Sequence, residues 1–480
     1  MSTVKRIAKN SAWQLISNIF QKIFSLIIVF ILAKKFGVDN FGLYSFAFSF
    51  VATFSIMADF GINNLLVREM SKLQSNGKEF LSNALAVKIL LTIVSFSGIL
   101  FAGFLFGLDS FKMTLIVLAG ISLLLDSIAG LFRGLFYSFE IFRYETYISF
   151  IYRLILLVLS LIVFFTGLGL IELLFVAVLS SFVNLLLSIY YAFKHTITPS
   201  LRFSIFGMKS ILISAMPFFF IGLMMSLFAN MDVLLLQKFW SQTEVGIYSA
   251  AVRLVSALSV VSVMFMNSVH PVATKFFSQN NESINTVVTI SLYYLTVFIF
   301  PVAVGTAIIS SDLVLFFYDK DFSRTALPLT ILGFTQIFSF ANHVFITMLY
   351  SVQKEKEAFK QVFVSTIFNL SLNLFFLIPM YAENGAAAAT FLSEILSFLI
   401  GFYFISKYVT KLKFFSIYTK PTIASILMGI FTFYIYPIAG VLISIILAVP
   451  VYLLALFLIK AFSKEDIFFF KKFLEIFTNR

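Results

Sequence analysis

The chain has no cysteine among its 480 residues. That excludes a disulfide framework, a thiolate metal site and a cysteine nucleophile. Charge is also scarce: Asp, Glu, Lys and Arg make up 12% of the chain, against about a quarter in soluble domains. Polar connections are short throughout, which leaves no room for a nucleotide-binding domain, and no Gly-x-x-x-x-Gly-Lys-Ser/Thr phosphate loop occurs. ATP-driven pumping by this chain alone is therefore not expected. The same shortness argues against a membrane glycan polymerase or ligase, which carries a sizeable loop with acidic or basic catalytic residues. The richest connection, with Asp312, Asp319, Asp321 and Arg324, reads as a solvated turn. Lys5, Arg6 and Lys9 precede an apolar stretch that is too long for a signal peptide and has no small-residue cleavage pattern after it, so it reads as a retained helix.

What the chain does have is apolar length. Hydrophobic residues make up 60% of it, and the mean hydropathy is +1.02. Apolar stretches long enough for a bilayer core, about 20 residues each, fall near 12–36, 40–64, 80–106, 111–137, 147–166, 170–193 and 211–237. The series continues near 246–270, 286–309, 327–350, 359–380, 386–407, 418–438 and 440–461. These stretches are continuously apolar rather than alternating, which predicts helices and not a barrel. The expected fold class is an all-α integral membrane protein with about fourteen transmembrane helices.

The first two stretches recur 204 residues downstream. Phe41-Gly42-Leu43-Tyr44-Ser45-Phe46-Ala47 aligns with Val245-Gly246-Ile247-Tyr248-Ser249-Ala250-Ala251, and the same offset pairs Val51 with Val255, Ser55 with Ser259 and Asn63 with Asn267. We read this as an internal duplication. Six spans per copy give both copies the same polarity, which predicts halves related by a pseudo-twofold axis along the membrane normal with a central cavity between them. The expected division is an N-lobe at 1–205, a C-lobe at 206–410, and two further helices with a cytoplasmic tail at 411–480. A duplicated membrane bundle with almost no soluble mass implies transport.

Orientation follows from Lys and Arg. Of 34 such residues, four lie within spans and six (Lys34, Lys35, Lys112, Lys238, Lys320 and Arg324) in the loops of one side, which leaves 24 on the other. The positive-inside rule then puts both termini and the basic loops in the cytoplasm. The net charge of +12 thus reflects topology and attraction to anionic inner-leaflet lipid, not nucleic-acid binding.

Within the spans lie Lys22, Asp59, Lys88, Asp126, Arg153, Asp232, Arg253 and Glu394. An ionisable group at bilayer depth is costly and needs a partner or a watered cavity, so these eight are the candidate functional residues. Lys22 and Asp126 sit near mid-span, Asp59, Lys88 and Arg153 toward the cytoplasm, and Asp232, Arg253 and Glu394 toward the outside. Asp232 with Arg253, and Lys22 with Asp126, are the pairings the depths suggest. Asp126, Arg133 and Glu140 fall seven apart on one expected helical stripe. Asn230, Asn267, Asn342, Asn369 and Asn373 can bridge helices, and His343 reads as a packing histidine with a pKa range suited to proton transfer.

Asp59-Phe60-Gly61-Ile62-Asn63-Asn64-Leu65-Leu66-Val67-Arg68-Glu69-Met70-Ser71-Lys72 resembles the signature of the polysaccharide-transporter family, the Wzx-type oligosaccharide flippases. Phe132-Arg133-Gly134-Leu135-Phe136 with Glu140, and Asn230-Met231-Asp232 followed by Gly246-Ile247-Tyr248-Ser249-Ala250-Ala251, are similar to that family's patterns too. The resemblance implies the multidrug/oligosaccharidyl-lipid/polysaccharide exporter fold, two six-helix lobes in a V around a central cavity plus two C-terminal helices. It also implies the cargo, a prenyl-(di)phosphate-linked oligosaccharide turned from the cytoplasmic to the outer leaflet in the cell membrane. On that implication Lys22 and Arg253, then Lys88 and Arg153, become phosphate or sugar contacts. Asp59, Asp126, Asp232 and Glu394 become candidates for ion coupling, with H+ or Na+, or for charge balance. No cofactor, metal or nucleic acid is expected, and glycan-assembly enzymes are expected partners alongside membrane lipid. A cation-coupled drug exporter of the same superfamily, with an acidic cavity, is the alternative, as is an uncoupled lipid scramblase.

The topology has a direct test. A fluorescent protein that folds only in the cytoplasm should shine when fused at residue 480, and the same tag inserted after Asp319 should stay dark.

Overall fold

The computed structural model describes residues 3–73, 77–200, 203–278, 283–412 and 414–461, so most of the expected C-terminal tail lies outside the described residues. Among these residues there are thirteen α-helices and no strand. They are α1 (Thr3–Asp59), α2 (Ile62–Leu73), α3 (Lys78–Leu105), α4 (Ser110–Ser138), α5 (Phe142–Thr166), α6 (Leu170–His195) and α7 (Ile205–Phe239), then α8 (Gln242–Ser278), α9 (Ser283–Phe317), α10 (Ala326–Ser351), α11 (Glu355–Leu372), α12 (Ile378–Tyr408) and α13 (Phe414–Leu458). A 3₁₀ helix at Lys320–Thr325 precedes α10, and a π-helix at Asn373–Leu377 joins α11 to α12.

Eleven helical stretches are long and apolar enough to cross a membrane. Three of them run for 54, 54 and 42 residues, about twice the length of one crossing. Within each stretch one helix is interrupted at a residue of non-helical backbone: Gly37 (φ 74°, ψ 178°), Ala382 (φ 50°, ψ −128°) and Gly440 (φ 74°, ψ 176°). These breaks fall where the hydropathy pattern placed boundaries between spans. The connection is one residue where a loop was expected, and a count of fourteen crossings treats each broken helix as two. The backbone at Gly37 and Gly440 is a region essentially reserved for glycine. Ala382 occupies a left-handed φ with a Cβ. Just beyond it, Gly385 lies so close to the Leu377 carbonyl that a side chain there would overlap it.

The second apolar stretch ends five residues earlier than expected. Helix α1 stops at Asp59, and Phe60 (φ 48°) and Gly61 (φ 76°) turn the chain. The turn is packed against α7: a Cβ on Gly61 would overlap Phe218, and the Phe60 and Phe219 rings stack at 4.3 Å. After the turn comes the short amphipathic α2, which buries Ile62, Leu65, Leu66 and Met70, one stripe at helical spacing. Its bed is α4, where Gly130 lies under Asn63 and Gly134 under Leu66. Small residues four apart let two helices approach closely, which explains why the two sequence signatures belong together.

The chain forms two compact units. The first comprises Met1–Ser249 with Leu370–Ala386, the second Ala250–Asn369 with Ala387–Arg480. The core of the first gathers Leu65, Leu66, Leu131, Phe132, Leu135 and Phe136. That of the second is built on Phe340, Val344, Phe345 and Met348 of α10 against Leu292 and Leu295 of α9. Helix α13 lies on α9, with Tyr452 donating to the Val297 carbonyl at 2.7 Å and Tyr436 to Asp312. The repeat is physically expressed in the first unit. A Cβ on Gly42 would overlap the carbonyl of Gln242, and one on Gly246 would overlap the carbonyl of Val38. Under the 204-residue offset Val38 corresponds to Gln242 and Gly42 to Gly246, so the two contacts are the same contact made twice. Asp39 and Thr243, also equivalent, bond directly to each other, Thr243 Oγ1 donating to Asp39 Oδ1 at 2.5 Å. A surface that binds its own copy in this reciprocal way is what twofold symmetry requires.

This contact sets an expectation for glycine substitution. Gly98 has ordinary space, since a methyl group there would find Phe54 at 3.7 Å, so Gly98→Ala should be neutral or stabilising by helix propensity. Gly246→Ala should cost about 1–3 kcal/mol through overpacking. Apparent melting temperatures of the two purified variants in detergent check the contrast.

Candidate functional site

The first unit contains a recess of about 390 Å³, lined by Asp59, Asn63, Asp126, Ser55, Ser127 and Ser226 among others. Its position follows from the turn at Phe60-Gly61, which stops α1 at Asp59 and sets α2 at an angle. Asp59 is held in that turn by accepting from the Gly61 N–H at 3.2 Å. Its other oxygen accepts from Lys88 Nζ at 2.5 Å, and Lys88 also donates to Asn63 Oδ1 at 3.3 Å. Lys88 is fully buried while the Asp59 side chain keeps 23% exposure. The ammonium is thus enclosed by its partners, and the carboxylate faces the recess.

Asp126 is satisfied differently. One oxygen accepts from Tyr152 at 3.0 Å and Ser181 at 3.1 Å, the other from Asn184 Nδ2 at 2.7 Å. All three donors are neutral and come from α5 and α6. Arg153, the next residue to Tyr152, places its guanidinium over the Tyr152 ring at 5.0 Å. The structure therefore brings Asp59, Lys88, Asp126 and Arg153 into one neighbourhood of the first unit. Of the expected stripe, Arg133 stays on α4, but the helix ends at Ser138 and Glu140 lies beyond it at φ 57°, exposed.

Asp232 forms a separate centre. It is 4% exposed and accepts from Tyr248 at 2.5 Å and from Asn373 at 2.6 Å. Asn373 opens the π-helix, a rare geometry that often marks functional positions. Tyr248 belongs to the repeated Gly-x-Tyr-Ser core, so one copy of the repeat has acquired a carboxylate partner. Arg253, its suggested partner, belongs to the second unit. There its charge acts on the buried phenol of Tyr318, lowering a pKa that burial raises. Lys22 is exposed on the first half of α1.

In the second unit Glu394 accepts from Asn342 Nδ2 at 2.5 Å, and Asn342 accepts in turn from Gln361 Nε2 at 3.2 Å, which also reaches Ser397. His343 pairs with Ser262 at 2.6 Å. Among the buried polar residues that escaped the sequence reading are Glu145, Gln361 and Glu383. Glu145 accepts from Ser17 at 3.3 Å and Ser149 at 2.8 Å. It falls in the first turn of α5, where the pattern suggested a loop, and Glu383 falls at the Ala382 break for the same reason. A polar residue beside a single-residue break is the signal that could have found Glu383.

The all-α fold, its eleven helical stretches of membrane-spanning length and its sparse intramembrane charges define a multi-pass membrane protein. Residues 7–277 match the family model described as "Polysaccharide biosynthesis protein", more than half of the chain, and the chain belongs to that family. Residues 217–375 also match the model MatE. Among curated relatives, the probable low-salt glycan biosynthesis flippase Agl15 of Haloferax volcanii is 24% identical over 200 residues, and the chain spans only 42% of its length. The capsular polysaccharide biosynthesis protein CapF of Staphylococcus aureus is 21% identical over 408 residues, 84% of this chain and 100% of that protein. Among solved structures, the lipid II flippase MurJ in an inward closed conformation superposes with a TM-score of 0.76 at 17% identity, covering 92% of this chain and 97% of that one. An inward-facing multidrug resistance MATE family transporter of the MOP superfamily gives a TM-score of 0.66 at 14% identity, covering 81% and 95%. These structural likenesses establish the fold.

The Asp59–Lys88 pair yields a stability test. Asp59→Asn leaves an uncompensated buried ammonium and should cost about 3 kcal/mol, while the double variant Asp59→Asn/Lys88→Met should recover most of the loss. A double-mutant cycle on apparent melting temperature measures it; equal losses in single and double variants would remove the pair from the account.

Proposed function

We propose that the chain is a flippase that carries a prenyl-(di)phosphate-linked oligosaccharide from the cytoplasmic to the outer leaflet by alternating access, for cell-surface polysaccharide or glycoprotein biosynthesis. The observation that carries this reading is the family match over residues 7–277. Relatives named as a glycan biosynthesis flippase and a capsular polysaccharide biosynthesis protein support it. The transporter forms no covalent bond to its cargo. It works in the cytoplasmic membrane with both termini inside, receives cargo from glycan-assembly enzymes, and draws on an H+ or Na+ gradient.

On this reading Lys22 and Arg253 are contacts for the anionic part of the cargo. An arginine or lysine supplies the charge that replaces hydration lost by a phosphate leaving water. Lys88 has a different task, since its ammonium is enclosed by Asp59 and Asn63. It balances charge and holds the α1–α2 turn. Asp126, Asp232 and Glu394 are the positions where a coupling cation or proton acts, and the serines and asparagine of the recess solvate sugar hydroxyls. Export of cationic compounds is the second reading, favoured by one observation: the recess presents two carboxylates, Asp59 and Asp126.

Purified protein in liposomes, given a fluorescent prenyl-diphosphate oligosaccharide, should expose it at the far leaflet, faster with an ion gradient if transport is coupled. Lys22→Ala and Arg253→Ala should each slow that exposure at least about tenfold, the loss of one charge-assisted contact worth about 1.4 kcal/mol. No exposure by folded wild-type protein, together with drug resistance on expression, would replace the flippase reading with the exporter; a changed glycan linkage would replace it with a polymerase or ligase.

A further inference from the structure

The two helices that meet along the first half of α1 and α5 do so through matched stripes. On α1 they are Trp13, Ser17 and Gln21; on α5, Glu145, Ser149 and Arg153, each four residues apart. Thr146 donates to the Trp13 carbonyl at 3.1 Å, Ser17 donates to Glu145, and Gln21 donates to Ser17 at 2.9 Å. Above these bonds the stripes part to leave a recess of about 190 Å³, walled by Trp13, Phe20, Tyr147 and Phe150 with Gln21 and Arg153 in its lining.

Arg153 has no hydrogen-bond or ion-pair partner among the described residues, and its Nε is buried. Such an arginine, eleven residues into a membrane helix, is costly unless an anion or water meets it. The carboxylates around it are committed elsewhere: Glu145 to Ser17 and Ser149, Asp126 to Tyr152, Ser181 and Asn184. The flank of the recess faces outward and is apolar, with Phe20 43%, Tyr147 46% and Phe150 39% exposed. Phe20, Phe24 and Phe150 pack ring to ring at 5.7–6.0 Å, a continuous surface for a hydrocarbon chain. A guanidinium at the end of an aromatic wall is complementary to an amphiphile with an anionic head.

We propose that this recess binds one anionic glycerophospholipid of the surrounding bilayer, its phosphate on Arg153 and Gln21 and an acyl chain along Phe20, Phe24 and Phe150. The volume selects that occupant over the glycan cargo, because sites for larger ligands measure about 300–1,000 Å³ and an oligosaccharide does not fit. A long arginine side chain leans toward the helix N-terminus, which carries its charge from mid-helix toward the head-group region. The bound lipid would fasten the first half of α1 to α5 and complete a wall that the protein alone leaves open.

Native mass spectrometry of the full chain, released from micelles doped with equal phosphatidylglycerol and phosphatidylcholine, tests this. The wild type should retain one phosphatidylglycerol in at least tenfold preference, Arg153→Gln should lose that preference, and Arg153→Lys should keep part of it. If Arg153→Gln is not recovered folded, Gln21→Trp, which fills the recess and leaves the arginine in place, should abolish retention instead. Equal retention of both lipids, or an unchanged preference in the folded variants, overturns the proposal. So does displacement of the lipid by inorganic phosphate alone, which would mark a free-anion site, or by a short-chain prenyl phosphate, which would mark a cargo site.

Discussion

The close approach of two glycines, Gly42 and Gly246, is the constraint on which the first unit depends. Neither position has room for a methyl group, since each faces a backbone carbonyl of the other copy of the repeat. Asp39 and Thr243 close the contact by bonding to each other across the same axis. Once α1 and α8 are fixed there, everything attached to them inherits a position: the turn at Asp59, the bed for α2 on α4, and Tyr248 beside Asp232. The symmetry is strict only at the contact. Away from it the copies diverge, so that Tyr248 bonds a carboxylate while the Tyr44 ring lies tilted against Phe48 at 4.7 Å.

The intramembrane charges follow one rule in different forms. A carboxylate at bilayer depth must be stabilised without water. Asp126 is surrounded by neutral hydroxyl and amide donors, Asp232 by a phenol and an amide, and Glu394 by an amide that is itself oriented by Gln361. Asp59 takes a full countercharge from Lys88, and it caps a break in the chain. Neutral donors leave a carboxylate its charge while holding its geometry, which suits a group that must exchange a proton or a cation. An ion pair removes the charge and suits a joint.

Much of the architecture was legible in the sequence because bilayer thickness and continuous apolarity act locally. Gly37, Ala382 and Gly440 fall where hydropathy separates one span from the next. The length of the connections was not legible, because one residue in a rare backbone region does the work of a loop. Likewise α1 ends at Asp59, since the Phe60-Gly61 turn is dictated by α7, which begins 144 residues later in the chain at Ile205. The charged residues could be named one by one from their cost in lipid. Their partners could not: Asn184 lies 58 residues from Asp126, Asn373 lies 141 from Asp232, and Gln361 reaches Glu394 only through Asn342. Glu145 and Glu383 were hidden by helix boundaries drawn a few residues off, where a buried carboxylate reads as a solvated one.

Three pairs of apolar segments are joined by single residues, and this shapes how the chain meets the world beyond the membrane. A break confined to one residue adds almost no connecting peptide, so proteases, antibodies and glycosylating enzymes find little to grip there. Insertions at such a turn would have to supply an entire loop, whereas substitutions are confined to residues that accept its dihedral angles. At these three breaks backbone geometry, rather than a loop of free sequence, sets what the chain can present.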